Sequence, residues 1–344
     1  MRPGCYTALV TPFHNDRVDD DALSQLVDFQ LENGVAGILA AGTTGESPTL
    51  DWEEHNHVTE RIAQKVAGRA MCIAGTGSNN TAETLAATKH AVEAGAEAVL
   101  LVDPYYNGPS SLEIRREYIE PVAAAFPETI IMPYVVPGRT GAQVLPEDLA
   151  LAFKNYPNVN TVKEATGDLE NMRRTRQCCG PDYNILSGDD NLTAGMMTDP
   201  EILACGVISV YANIFPGAVS QMVAAFDQGD VTAGRAIADK LDPLLSMVTV
   251  SSTEKTAHGD VTCRARNPVP VKTLMAALGI PVGGCRQPLG RMTRTGVEML
   301  LAAARRVYAD APELYDPVAA FFDIDVAARL NDPAVADGLV YEAY

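Results

Sequence analysis

Short apolar runs rich in Val, Ile and Ala alternate along the chain with longer amphipathic ones. The short runs lie near 5–13, 35–42, 70–77, 96–103, 129–136, 159–166, 183–189 and 206–213, eight in all, and have the length and branching of strands buried on both faces. The longer runs carry apolar residues at helical spacing. In DDALSQLVDFQLENG, Leu23, Leu26, Val27 and Leu31 share one face, and Gly34 is placed to end the helix in a left-handed cap. The segments after Thr49, Thr81, Ser111 and Pro146 read similarly, with Thr49 and Thr81 as expected N-caps. Strands buried on both faces and joined by helices make a parallel sheet, and eight such units predict an α/β fold, a closed (β/α)8 TIM barrel. The alternative is an open doubly wound sheet, but no GxGxxG follows a strand and opens a helix.

After residue 213 the pattern turns helical, near 216–228, 232–248, 270–278 and 291–308. That exceeds what closing a barrel requires and predicts a C-terminal helical appendix, interrupted by a polar insertion, SSTEKTAHGDVTCRA, at 251–265. The expected division is a catalytic barrel over 1–228, a helical region over 229–308 and an acidic extension over 309–344. From Asp310 onward the extension has one basic residue, Arg329, against eight acidic ones. Its apolar positions Val318, Phe321, Phe322, Leu339 and Val340 are expected to dock on the parent barrel or on a neighbouring subunit.

A hydrophobic content of 47% with 20% charged residues is that of a globular protein. The formal charge of -18, from 26 Lys and Arg against 44 Asp and Glu, repels polyanions, which argues against nucleic acid and anionic membranes as partners. The start, MRPGCYTALVTPF, lacks a cationic region followed by a long apolar run, and no later apolar stretch is long enough to span a bilayer, so a cytoplasmic protein is expected. Seven cysteines without zinc spacing, two of them the adjacent Cys178 and Cys179, are expected to be reduced and mostly structural.

Within VNTVKEATGD at 159–168, Lys163 is out of character for a buried strand, because desolvating an ammonium is costly unless it is paired or loses its proton. A neutral lysine is a nucleophile able to form a Schiff base with a carbonyl. The plainer reading is a snorkelling lysine, or one paired with Glu164 or Asp168. Barrel chemistry gathers at the C-terminal strand ends. The second strand ends in Gly42-Thr43-Thr44-Gly45-Glu46-Ser47, the fourth in Asp103-Pro104-Tyr105-Tyr106-Asn107, and the fifth supplies Tyr134 and Pro137-Gly138-Arg139-Thr140-Gly141. The seventh gives Ser187-Gly188-Asp189-Asp190 and the eighth Ile208. Strands five and six are neighbours, which brings Tyr134 beside Lys163 as a proton carrier, with Thr43 and a second tyrosine extending the relay. The Thr-Thr-Gly loop offers hydroxyls and N–H groups to a carboxylate, and Arg139 offers a fork to another. Each also has a purely structural reading, as a turn glycine, a packing tyrosine or a surface arginine. The histidines at 14, 55, 57, 90 and 258 fall in loops or helices, not at strand ends, so no metal site is expected. Asp189-Asp190 would repel the phosphate that barrels usually hold after strands seven and eight. The residues thus point to an unphosphorylated keto acid handled as a lysine imine.

The motifs GTTGESPTL (42–50), DPYYN (103–107), YVVPGRTG (134–141), VKEATGD (162–168), LSGDD (186–190) and GVISVYAN (206–213) together resemble the dihydrodipicolinate synthase and N-acetylneuraminate lyase family of pyruvate-dependent class I aldolases. The resemblance runs over about 4–300 and is closest to the dihydrodipicolinate synthase branch, through GTTGE and the RTG after the tyrosine. It implies a lyase of the diaminopimelate route to lysine. Pyruvate would form an imine on Lys163, and its enamine would add to L-aspartate 4-semialdehyde to give 4-hydroxy-tetrahydrodipicolinate, with no other cofactor. It also implies a proton relay of Thr43, Tyr134 and Tyr106, the last reaching a neighbouring subunit's site. Thr44, Gly188 and Ile208 would meet pyruvate, and Arg139 the semialdehyde's carboxylate. The assembly implied is a homotetramer, a dimer of dimers. In lysine-inhibited members the effector sits at the dimer interface, and the matching positions are Ser47, Trp52, His55, Asn79, Glu83 and Tyr105, which equally suit a mere interface.

Two departures stand out. Val135 follows the tyrosine where the family usually has Asn, and Pro133 precedes it, removing a strand donor. They keep open a sibling pyruvate aldolase or dehydratase acting on a sugar acid or another aldehyde, which Arg139 opposes. A non-catalytic barrel binding lysine or a keto acid is the reading from a different class, and the intact Lys163, Tyr134, Thr43 and Tyr106 set speaks against it.

Overall fold

The computed structural model describes residues 1–344. Eight parallel strands close into a barrel: β1 (Gly4–Ala8), β2 (Gly37–Ala40), β3 (Met71–Gly75), β4 (Ala98–Val102), β5 (Ile130–Val135), β6 (Thr161–Glu164), β7 (Asn184–Ser187) and β8 (Gly206–Ser209). The ring shuts where β1 pairs with β8, Gly4 opposite Gly206. Both are glycines for a reason: a Cβ on Gly206, at φ +153°, would stand 2.0 Å from the Gly4 carbonyl oxygen. Alternation along each strand sends Tyr6, Leu39, Ile73, Leu100, Met132, Leu186 and Ile208 into the barrel, where they form a compact inner cluster. Their neighbours Val99, Leu101, Ile131, Val162 and Val207 face outward and join the larger core beneath the helices. This two-sided burial is why the strands read as unbroken apolar runs.

The helices α1 (Asp20–Glu32), α2 (Trp52–Val66), α3 (Thr81–Ala94), α4 (111–125, with a π-helical turn at Ile114–Ile119), α5 (Pro146–Asn155), α6 (Leu169–Cys179), α7 (Thr193–Thr198) and α8 (Pro216–Asp227) follow their strands. Gly34, at φ +74°, follows α1 as expected. Two caps differ from expectation. Asp51 caps α2 by accepting from the Glu54 amide (2.9 Å), and Asn80 caps α3 by accepting from the Ala82 amide (3.0 Å). Thr49 and Thr81 instead donate to the carbonyls of Glu46 and Glu117. A carboxylate or amide oxygen adjacent to the helix start outcompetes a threonine hydroxyl for the free amides.

Past α8 come α9 (Val231–Leu245), α10 (Val269–Leu278) and α11 (Arg294–Asp310). The region 229–308 is not helical throughout. The polar insertion is an antiparallel hairpin, β9 (Thr249–Thr256) and β10 (Gly259–Arg266), paired from Thr249–Arg266 to Thr256–Gly259. Two short helices, α12 (Asp316–Phe322) and α13 (Val326–Asn331), then dock on the parent barrel. Phe321 and Phe322 pack on Phe29 of α1, with ring centroids 5.3 and 5.1 Å away. Arg329 donates to the Ala277 carbonyl (2.9 Å) and Arg305 to that of Leu330 (2.7 Å), while Val318 and Val340 are fully buried.

The appendix is fastened to the barrel by a buried ion pair. Lys272 of α10 reaches Glu46, in the loop after β2, at 2.7 Å, and also donates to the carbonyls of Thr11 (2.9 Å) and Gly284 (2.7 Å). The second Glu46 oxygen accepts from the Arg286 amide (2.8 Å). Neither side chain is reached by solvent to more than 1%. With every donor and acceptor satisfied, loss of one partner leaves the other as an unpaired buried charge. Lys272→Met should therefore cost about 3–5 kcal/mol in urea unfolding. The double variant with Glu46→Gln should recover a large part of that loss.

Candidate active site

The β5–β6 register sets Tyr134 directly opposite Lys163. Lys163 Nζ lies 4.2 Å from the centre of the Tyr134 ring, over its face. The lysine is 4% exposed and has no ion-pair partner. The two carboxylates that could have claimed it are occupied elsewhere. Glu164 points to the outer side, accepting from the Thr166 amide (2.8 Å) and Asn171 (3.0 Å), and Asp168 caps α6. Burial brings the Lys163 ammonium down to about 8; Asp189 and Asp190 oppose that shift, and Arg139 adds to it. At neutral pH a sizeable fraction of the amine is thus free to act as a nucleophile. Burial raises the Tyr134 phenol to about 12, with Arg139 and a hydrogen bond to Thr43 pulling it back, so the phenol stays protonated between transfers.

Three loops complete the surroundings. Ala41 (φ 47°) and Glu46 (φ 59°) bracket the Gly42–Gly45 turn in left-handed conformations that residues with a Cβ seldom adopt. Thr44 is buried there, its hydroxyl accepting from Asn267 Nδ2 at 2.9 Å. Gly188 follows β7, and a Cβ on it would stand 2.7 Å from the Ala165 Cβ, 3.0 Å from the Glu164 carbonyl oxygen and 3.1 Å from Lys163 Cε, so glycine lets this loop lie close against the end of β6. Arg139 sits on the helical turn Pro137–Thr140, and its Nη2 donates to the Asn267 carbonyl at 3.3 Å. A cavity of about 210 Å³ runs between Thr43, Tyr134 and Arg139 and out to Ser47 and Tyr105. Ile208 closes the floor within the inner barrel cluster. Asp190 is turned inward, bonded to Ser209 and to the Val210 amide (2.8 Å), and burial lifts it to about 6.

Lys163, Tyr134, Thr43, Gly188 and Arg139 are thus brought together, with Thr44 and Ile208 beside them. Tyr106 is not: it lies 86% exposed on the loop after β4. Val135 and Pro133 are adjacent to Tyr134 in sequence but not in chemistry. Val135 faces the outer core and is fully buried, and Pro133 shares that side of the strand, so neither meets a substrate at Tyr134. Of the six positions matched to a lysine effector, Ser47 and Tyr105 line this cavity. Trp52 packs edge-on against His55 (5.0 Å), whose Nε2 is 2.8 Å from the Gly75 carbonyl. Asn79 accepts from the Tyr105 amide (2.7 Å), and Glu83 accepts from Ser78 (2.5 Å). Asn267 escaped the sequence reading. It lies more than 200 residues from Thr44 in a stretch with no periodicity, and nothing local signals that its amide orders the Thr44 hydroxyl.

The closed parallel barrel and the residues gathered at its C-terminal strand ends define a (β/α)8-barrel enzyme. The chain belongs to the Dihydrodipicolinate synthetase family, whose sequence profile matches residues 2–306. A 4-hydroxy-tetrahydrodipicolinate synthase of Syntrophus aciditrophicus is 41% identical over 300 residues, covering 87% of this chain and 96% of that protein. The structure of the 4-hydroxy-tetrahydrodipicolinate synthase of Methylacidiphilum fumariolicum superimposes with a TM-score of 0.82 at 34% identity, over 92% of this chain and all of that one. The lysine-bound enzyme of Cyanidioschyzon merolae matches with a TM-score of 0.79 at 33% identity, over 89% and 98% of the two chains. No helix is long and apolar enough to cross a membrane.

Two pH effects follow from the buried groups. An imine on Lys163 would need the neutral amine, so the rate of its formation should climb about tenfold per pH unit up to a plateau above about 8, measured by quenching with borohydride. Asp103, buried after β4, accepts from the Val144 amide (3.0 Å), and burial raises it from 3.8 to about 8. It keeps its proton when folded and loses it when unfolded, so its contribution disfavours the fold increasingly as pH rises from about 4 to 8. Asp103→Asn retains the oxygen that Val144 needs, and should flatten the unfolding free energy against pH in that window.

Proposed function

We propose that this chain is a 4-hydroxy-tetrahydrodipicolinate synthase that condenses pyruvate with L-aspartate 4-semialdehyde. The observation that carries the reading is the buried, unpaired Lys163 amine over the Tyr134 ring. The neutral amine attacks C2 of pyruvate and forms a carbinolamine, and loss of water gives the protonated imine. That imine withdraws electrons from the methyl carbon, which gives up a proton and becomes an enamine. The enamine carbon attacks the aldehyde, forming the new C–C bond. The semialdehyde's own amine then displaces Lys163 from the imine carbon, closing the ring and freeing the lysine.

Tyr134 carries the protons of carbinolamine formation and collapse, relayed by Thr43 and by Tyr106 from a neighbouring subunit. The 86% exposure of Tyr106 suits a residue that completes another subunit's site. Thr44 and the Gly188 loop take the pyruvate carboxylate, Ile208 lines the pocket, and Arg139 takes the semialdehyde's carboxylate. The electron sink is the covalent imine, so the proposed reaction draws on no separate cofactor. The assembly proposed is a homotetramer built from dimers, in the cytoplasm. Lysine as a feedback inhibitor at Ser47, Trp52, His55, Asn79, Glu83 and Tyr105 is supported by the lysine-bound relative and by the contacts of Trp52 with His55 and of Asn79 with Tyr105.

Borohydride with pyruvate should add one reduced pyruvate to the wild-type mass and none to Lys163→Ala, with turnover on aspartate 4-semialdehyde in the wild type alone. Tyr134→Phe should lose about 10²–10⁴ in kcat. An adduct without turnover would redirect the assignment to another aldehyde, and no adduct on folded protein would end it. Calorimetric titration with lysine should give a binding heat that Glu83→Ala abolishes.

A further inference from the structure

The base of the β9–β10 hairpin meets the turn that carries Arg139 through two crossed hydrogen bonds. Arg139 Nη2 donates to the carbonyl of Asn267 (3.3 Å), and Arg266 Nη1 donates to the carbonyl of Gly138 (3.0 Å). Each arginine therefore grips the residue beside the other. The two guanidiniums are near neighbours: burial lowers Arg139 most and the charge of Arg266 adds to that, while Tyr134 and the Asp189 carboxylate oppose it.

These bonds go to neutral carbonyls and neither arginine has a carboxylate within ion-pair distance; Asp189 offsets Arg139 only from farther away. Yet the chain carries 44 acidic residues against 26 basic ones. One hydrogen bond each leaves most of both forks free. Holding like charges together costs energy that an anion placed between them would return. Arg139 lines the cavity that also contains Tyr134 and Thr43, and Arg266 stands beside it outside that lining, so an anion shared by the pair would meet Arg139 from the hairpin side of the cavity.

We propose that Arg266 is the second cation of the aldehyde subsite: together with Arg139 it binds the carboxylate of the incoming aldehyde, and the hairpin is the element that delivers it. This rests on the reading of Lys163 as the imine-forming amine. The condensation joins two carboxylates in one product, and the site then holds one at Thr44 and the other at the arginine pair. The hairpin becomes a determinant of which aldehyde is accepted, separate from the residues that make the imine.

The test compares wild type, Arg266→Gln and Arg266→Lys. Glutamine keeps a donor for the Gly138 carbonyl but removes the charge, and lysine keeps the charge without the planar fork. The KM for aspartate 4-semialdehyde should rise roughly tenfold or more in Arg266→Gln and be partly restored in Arg266→Lys. The KM for pyruvate and borohydride trapping should stay at the wild-type level. Potassium chloride should raise the wild-type KM for the aldehyde more steeply than that of Arg266→Gln. An unchanged KM in Arg266→Gln, a rise that lysine fails to reverse, or an equal rise for pyruvate overturns the assignment. Absence of a pyruvate adduct in the wild type would instead overturn the imine chemistry on which the assignment rests.

Discussion

Everything in the site turns on keeping an amine out of water without giving it a counter-ion. Lys163 is placed where two neighbouring strands end, under a tyrosine ring and against a loop that Gly188 lets lie close. A carboxylate partner would hold it still more firmly in its ammonium form. The fold avoids this by sending Glu164 to the other side of the strand, by using Asp168 as a helix cap and by binding Asp190 to Ser209. Strand alternation does most of this sorting: adjacent residues of β6 face opposite sides, so a lysine and a glutamate one residue apart never meet.

The barrel was legible because its strands are buried on both faces and its helices on one, two patterns with different periods. Lys163 was legible for the opposite reason, as a residue that broke the pattern of its own strand. The hairpin was not, because its two strands are mostly solvent-facing and carry few apolar residues to mark a period. Helix starts were misplaced where two capping residues stood close together, as at Thr49 and Asp51. Val135 misled differently. Its neighbour Tyr134 carries chemistry, but the pleat puts the two side chains on opposite faces of the strand, so the change from the family's usual residue alters packing under the helices and not the pocket.

Contacts between distant parts of the chain left no local trace. Asn267 orders Thr44, Lys272 holds Glu46, and Arg286 closes on the same loop, all from the region beyond the eighth strand. The appendix is therefore part of the scaffold of the loop after β2, which it holds at two points, Thr44 and Glu46. Left-handed Ala41 and Glu46 are conformations that such outside bracing makes affordable.

The docking of α12 and α13 bears on how the chain reaches this state. Phe29 belongs to α1, which leaves the ribosome before most of the barrel is made, yet the rings that cover it, Phe321 and Phe322, come from α12, beyond the eighth strand and the appendix helices. The first strand likewise waits for the eighth before the ring can close. Synthesis thus leaves an oily patch on α1 uncovered until α12 arrives, a long interval in which a chaperone or a second nascent chain competes for it. The acidic tail, with its apolar residues set among eight carboxylates, is suited to that delay: it stays soluble while it waits and seals its own barrel when it docks.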